Sequence, residues 1–122
     1  MFKVLVCGGR NYNNDQLLYT ILDHMYDEYG LLGPIVIIHG GARGADTLGD
    51  QWAKDRQIPI EEFKAEWDIY GKSAGYIRNK RMLVEGKPNL VIAFPGGAGT
   101  QNMINLAKAS AVEVWTIDEK EA

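Results

Sequence analysis

Cysteine appears once in this sequence and histidine twice, and no apolar run approaches the length of a membrane span. A single cysteine cannot close an internal disulfide, and it points to a reducing compartment. A spanning helix needs about 20 consecutive apolar residues, far more than any stretch here supplies. The two histidines and the cysteine stand too far apart to give metal-ligand spacing, so neither metal nor cofactor is expected. An excess of positive charge is missing as well. Lysine and arginine total 13 against 16 aspartates and glutamates, for a net charge of -3. That balance disfavours general binding to a nucleic-acid backbone, although it does not say where the cations sit. Internal repeats, low-complexity tracts and linkers are absent too, so residues 1–122 are expected to form one domain able to bury a single core. The opening "MFKVLVCGG" breaks at glycine too soon for a secretion signal and reads as a first strand, which implies a cytoplasmic protein.

What is present is an alternation of two periods. "FKVLVC" (2–7) is apolar and β-branched and ends at Gly8-Gly9; Cys7, last in that run, is expected to be buried and inert. Leu17, Leu18, Ile21, Leu22, Met25 and Tyr26 then fall at helical spacing, with Asn13 or Asn14 as cap, and "GLLGP" ends that helix. "IVIIH" (35–39) lacks polar alternation, as a strand covered on both faces does. A second helix is expected to run to about Gln57, turning Leu48, Trp52 and Ala53 inward. "IPIEEF" (58–63) is a weaker strand, placed at an edge or strand start by Pro59. "KAEWDIYGKSAGY" reads as a loop entering a third helix that carries Arg78, Met82 and Leu83. "NLVIAF" (89–94), a helix with Met103, Ile104 and Ala107, and "VEVWTI" (112–117) complete the series before an acidic "DEKEA". This order predicts an α/β fold, a three-layer sandwich with a mainly parallel sheet of about five strands.

In an open parallel sheet the loops leaving the strand C-termini share one edge, where ligands bind. Three such loops are glycine-rich: "GGRNYNN" (8–14), "GGARGAD" (40–46) and "PGGAGT" (95–100). Glycine lets backbone approach a ligand with no Cβ between them, and the N–H groups opening the next helix present partial positive charge. One such turn is as readily explained by tight packing. Three at one edge predict a ligand that carries phosphate. The binding residues read here are Gly8, Gly9, Arg10, His39 at its strand end, Gly40, Gly41, Ala42, Arg43, Gly44, Pro95, Gly96, Gly97, Gly99 and Thr100. Thr100 either adds a hydroxyl donor or caps its helix. No G-x-G-x-x-G spacing occurs, and "GKS" (71–73) is no Walker A ending, because Glu66 occupies the place of its first glycine.

Polar residues beside the loops supply the rest of a site. Arg10, Arg43 and Arg78 can each fork onto phosphate or pair with a surface acid. Asp46, at a helix start, either complements the helix dipole or accepts from a ribose hydroxyl, and Asn79 is a second candidate for the ribose. Trp67 and Tyr70 can close over a base or cover the core. His24 falls on a helix surface. Ser73 and Ser110 lack the context of a nucleophile elbow, so no catalytic serine is read.

"CGGRNY", "HGGARGADTLGDQWA", "EWDIYGKSAGYIRNKRM" and "AFPGGAGTQNMINLA" together resemble the YspA-type branch of the SLOG superfamily, over nearly the whole chain. The resemblance implies a Rossmann-like sheet and a homo-oligomer. It also implies a pocket for a nucleotide or nucleotide-derived molecule, such as an ADP-ribose-like compound or a signalling nucleotide, held by a sensor or sequestering module. Two related groups share parts of the pattern. The LOG phosphoribohydrolases, which cleave the N-glycosidic bond of nucleoside monophosphates, share "PGGAGT". They use a glutamate three residues past its threonine and an arginine on the preceding helix. Here Met103 stands at the glutamate position and Arg78 matches the arginine. Arg78 is thus the best catalytic candidate of an N-glycosidase, with Glu66, Asp68 or Asp46 as a replacement acid only if the fold brings one there. The DNA-processing protein A family, which binds single-stranded DNA, shares the "GGARG" loop and an Arg-Asn pair like Arg78-Asn79. This chain has no basic bias to accompany them.

Overall fold

The computed structural model describes residues 1–118, so "DEKEA" beyond Asp118 lies outside the described residues. The elements run β1 (Phe2–Cys7), α1 (Asp15–Tyr29), β2 (Ile35–His39), α2 (Ala45–Asp55), β3 (Ile60–Glu62), α3 (Trp67–Tyr70), α4 (Ala74–Val84), β4 (Leu90–Ala93), α5 (Ala98–Ala109) and β5 (Glu113–Thr116). The five strands form one sheet in the order β3-β2-β1-β4-β5, with every neighbouring pair parallel. This is the α/β, Rossmann-like arrangement that the alternation implied.

The apolar runs follow from burial on both faces. On one face Val4 and Val6 of β1 pack with Leu18, Leu22, Met25 and Trp52 of α1 and α2. On the other, Leu5 and Cys7 pack with Met82, Met103 and Ala107 of α4 and α5. Successive β1 side chains therefore meet different cores, which removes any polar alternation from the strand. The helix ends are set locally. Asn14 caps α1 by accepting the Leu17 N–H at 3.1 Å. α2 stops at Asp55 rather than Gln57, because Gln57 takes a left-handed φ of 58°. Next to it, the Ile58 N–H closes back onto the Ala53 carbonyl at 2.8 Å. β3 is correspondingly short, and it forms a sheet edge beside Pro59, whose carbonyl accepts from the Ile37 N–H.

The segment read as a loop before the third helix contains structure of its own. Trp67–Tyr70 is a single helical turn, followed by a 3-10 turn at Gly71–Ser73 that leads into α4. Trp67, Ile69 and Tyr70 are all exposed, so the turn has no apolar stripe to announce it. Among the described residues no helix is long and apolar enough to cross a membrane.

The strand order also fixes where a crevice must open. From β1 the chain moves outward through β2 and β3, then returns to lay β4 against the other side of β1. The loops after β1 and β4 consequently leave the same edge in different directions.

Candidate functional site

A cavity of about 320 Å³ lies at that crevice, between the loops after β1, β2 and β4 and the side of α4. Its walls include Gly8, Gly9 and Arg10 from the first loop, Ala42 and Asp46 from the second, and Gly97, Gly99 and Thr100 from the third. Arg78 and Asn79 enter from α4, and Cys7 and Met82 form apolar parts of the lining. Two wider recesses flank it. One, of about 840 Å³, follows Gly9–Gln16 and Pro95–Gly97. The other, of about 650 Å³, runs along Gly40–Arg43, Lys64, Ala65 and Trp67. Arg10 lines all three, so they form one cleft along the sheet edge.

The second loop is organised by a buried carboxylate. Asp46 is only 5% exposed, and its Oδ2 accepts from the Gly40 N–H at 3.0 Å and the Ala42 N–H at 3.2 Å. Burial pushes the Asp46 carboxyl above its ordinary value, opposed by the Ala42 N–H and the Arg78 guanidinium. Arg78 reaches across from α4 and donates from its guanidinium to the Gly40 carbonyl. A Cβ on Gly40 would overlap that guanidinium, so the close approach depends on glycine. Burial lowers the pKa of Arg78; Asp46 acts to raise it and Arg10 to lower it further. Gly44 joins the first two loops: its φ is +76°, and the next residue, Ala45, donates its N–H to the Gly9 carbonyl at 3.2 Å.

Asn79 braces the third loop. Its Nδ2 donates to the Gly99 carbonyl and to Asn102 Oδ1, both at 3.0 Å, while its Oδ1 accepts from Arg78 Nε at 3.1 Å. Both amide hydrogens are thereby held by protein, so Asn79 braces the third loop from the cavity wall. His39 buttresses the second loop from below. Its Nδ1 accepts the Gly41 N–H at 3.0 Å, so the ring proton sits on Nε2, which donates to Asp50 Oδ2 at 2.7 Å. Asp50 Oδ1 is paired with Lys54 at 2.7 Å. His39, Asp50 and Glu62 place potential ligand atoms within 4.8 Å of one another, a grouping invisible to histidine and cysteine spacing. Within it, His39 and Asp50 are engaged with each other, with the Gly41 N–H and with Lys54.

The third loop differs. No side chain caps α5, whose N-cap residue is Gly97 with φ -104°. A Cβ at Gly97 or Gly99 would meet nothing within 4 Å, and neither residue has a left-handed φ. No packing contact therefore requires glycine at either position. Gly96 is another matter, since a Cβ there would overlap the Thr100 hydroxyl. Above the cleft, the Arg10 guanidinium carbon lies 5.3 Å from the Trp67 ring centroid. Tyr70, half-exposed on α3, and His39, beneath its loop, are not among the cleft's lining residues. Lys64 and Ala65 line it without having been read from the sequence. They directly follow β3, so the rule that loops leave strands at one edge already pointed to them.

The carboxylates proposed as replacement acids separate clearly. Met103 is fully buried in the second core, Glu66 lies 3.7 Å from Arg81, and Asp68 is exposed. Only Asp46 of this group lines the inner cavity.

A parallel α/β sheet with a glycine-walled, arginine-bearing cleft at its switch point defines a Rossmann-like domain with a candidate ligand cleft. Residues 2–70 match the family described as YAcAr, the YspA, cpYpsA-related SLOG family, and this chain belongs to it. It is 33% identical over 132 aligned residues to the Gene 61 protein of Mycobacterium phage D29, covering 98% of this chain and 99% of that protein. The X-ray structure of TM1055, a Northeast Structural Genomics Consortium target, matches with a TM-score of 0.69 over 93% of this chain and 72% of that one. Identity there is 20%, and the likeness is one of fold. Membership of the SLOG family points to a nucleotide-related function.

Proposed function

We propose that this protein binds a nucleotide or nucleotide-derived small molecule as a sensor or sequestering module, with a phosphate seated on the N-terminus of α5. The observation that carries this reading is the open space at Gly97 and Gly99. Glycine inside a helix costs about 1 kcal/mol relative to alanine, and Gly99 is inside α5. Nothing in the protein's own packing explains that cost. A ligand that must approach the backbone does. The uncapped N–H groups and the helix dipole supply a site for negative charge, and Arg10 and Arg78 stand on the same cavity. Asp46 is the acceptor available to a ribose.

The N-glycosidase reading rests on Asp46 and Arg78, because the helix position three residues past Thr100 is a core methionine. Asp46 already holds two backbone N–H groups through one oxygen, an arrangement suited to shaping the loop. The test is to mix the protein with nucleoside monophosphates, cyclic nucleotides, NAD and ADP-ribose, and to analyse both the protein-bound fraction and free solution by mass spectrometry. Intact nucleotide retained on the protein is the expected result. Free base with ribose phosphate in solution would replace this reading with the hydrolase one.

A further inference from the structure

The recess on the β2 side of the cleft carries an unusual charge pattern. Arg10, Arg43, Lys64 and Arg78 all line it, and no carboxylate does. The chain holds more acids than bases, so four cations around one recess without a carboxylate reverse its overall charge locally. Elsewhere Lys3, Lys54, Arg56 and Arg81 have acidic partners. Among the described residues, none of the cleft's four cations takes part in an ion pair. Asp46 is engaged in holding the second loop, and Glu62, outside the lining, lies against Gly41. Arg10 is instead held against the Trp67 ring, which fixes its position without neutralising it. The pKa of Arg78 is lowered mainly by burial; Asp46 acts to raise it, and the weaker effect of Arg10 acts against the protonated form.

Like charges gathered around one recess whose lining holds no carboxylate are relieved by an anion. Arg10 and Arg78 also line the inner cavity beside α5, so an anion in this recess is a neighbour of the phosphate already placed there. We propose that the recess is a second anion subsite, and that the ligand is a nucleotide bearing two phosphates rather than a monophosphate. The inference rests on the phosphate site at α5 and adds to it a second group, met by Arg43 and Lys64. Both side chains are exposed and stand at loop positions, so they can be removed without disturbing the core.

The test is equilibrium dialysis of the full chain with AMP, ADP-ribose and adenosine 3′,5′-bisphosphate, with a short single-stranded oligonucleotide as a fourth probe. At least one two-phosphate probe is expected to bind about tenfold or more tighter than AMP, as charge-assisted hydrogen bonds to a second anion require. In the Arg43→Ala/Lys64→Ala double variant that ratio is expected to collapse towards one. ADP-ribose and the bisphosphate distinguish adjacent from separated phosphates, and preference for either supports the second subsite. AMP binding as well as both overturns the subsite while leaving the α5 reading in place. Failure of every nucleotide, AMP included, overturns the α5 reading itself. An oligonucleotide that outcompetes them all, with steep salt dependence, overturns the small-molecule assignment.

Discussion

Gly97→Val is expected to abolish nucleotide binding while leaving the protein folded. A Cβ at Gly97 meets no atom within 4 Å, so the added methyl groups project into the mouth of the cavity rather than into the core. The Gly97 φ of -104° is not left-handed, and Gly99→Val, at an equally open residue within the regular backbone of α5, is the parallel variant. Stability should therefore change little, as measured by thermal unfolding. Binding should suffer far more. Displacing a phosphate from the α5 N–H groups removes at least two charge-assisted hydrogen bonds of ~1.5 kcal/mol each, or about 100-fold in affinity. Gly96→Val serves as the contrast, because its side chain would strike Thr100 and the Gly9 backbone and so damage the fold. Unchanged affinity in a folded Gly97→Val protein would mean that the loop is structural and that the ligand lies elsewhere.

Asp46→Ala carries the largest expected loss of stability in the cleft. It strips the acceptor from the Gly40 and Ala42 N–H groups and removes the negative charge facing Arg78. Orphaned donors at a buried and a part-buried site correspond to about 2–4 kcal/mol. Urea unfolding monitored by circular dichroism measures it. Asp46→Asn separates the two roles, since an amide oxygen can keep both N–H bonds without the charge. The pH dependence gives an independent check. The folded state raises the Asp46 pKa above its ordinary value of 3.8, mainly through burial. The folded form then binds the Asp46 proton more tightly than the unfolded chain. Its contribution to stability is fully present below the unfolded value and is lost as pH rises through the folded one. Asp46→Asn lacks this term. The difference in stability between wild type and Asp46→Asn should shift against the wild type as pH rises above about 4, then level off. A difference that stays flat across the acid range would contradict the raised pKa.

Much of this was legible in the chain because burial leaves a periodic mark. β1, β2 and β4 are covered on both faces, so their unbroken apolar runs identify them as inner strands, and the helices between them give the parallel sheet. The three glycine loops follow from the same pattern, since each leaves the C-terminal end of a strand. Strand order is different. Nothing in the run "LVIA" says that it pairs with β1 rather than β3, and the switch point depends on that choice. α3 escaped because its four residues are exposed and a single turn has no measurable period. Asn79 reads equally well as a ligand contact or a brace until the Gly99 carbonyl is found 3.0 Å from it. The partners of His39, Asp50 from α2 and Glu62 from β3, are likewise products of tertiary structure.

The most direct test is a crystal structure of the full chain with whichever nucleotide it retains. The predicted result is a phosphate within hydrogen-bonding distance of the backbone N–H groups between Gly97 and Thr100, with Arg10 or Arg78 on its other side. A nucleotide bound away from the start of α5, with Gly97 and Gly99 facing only water, would contradict it.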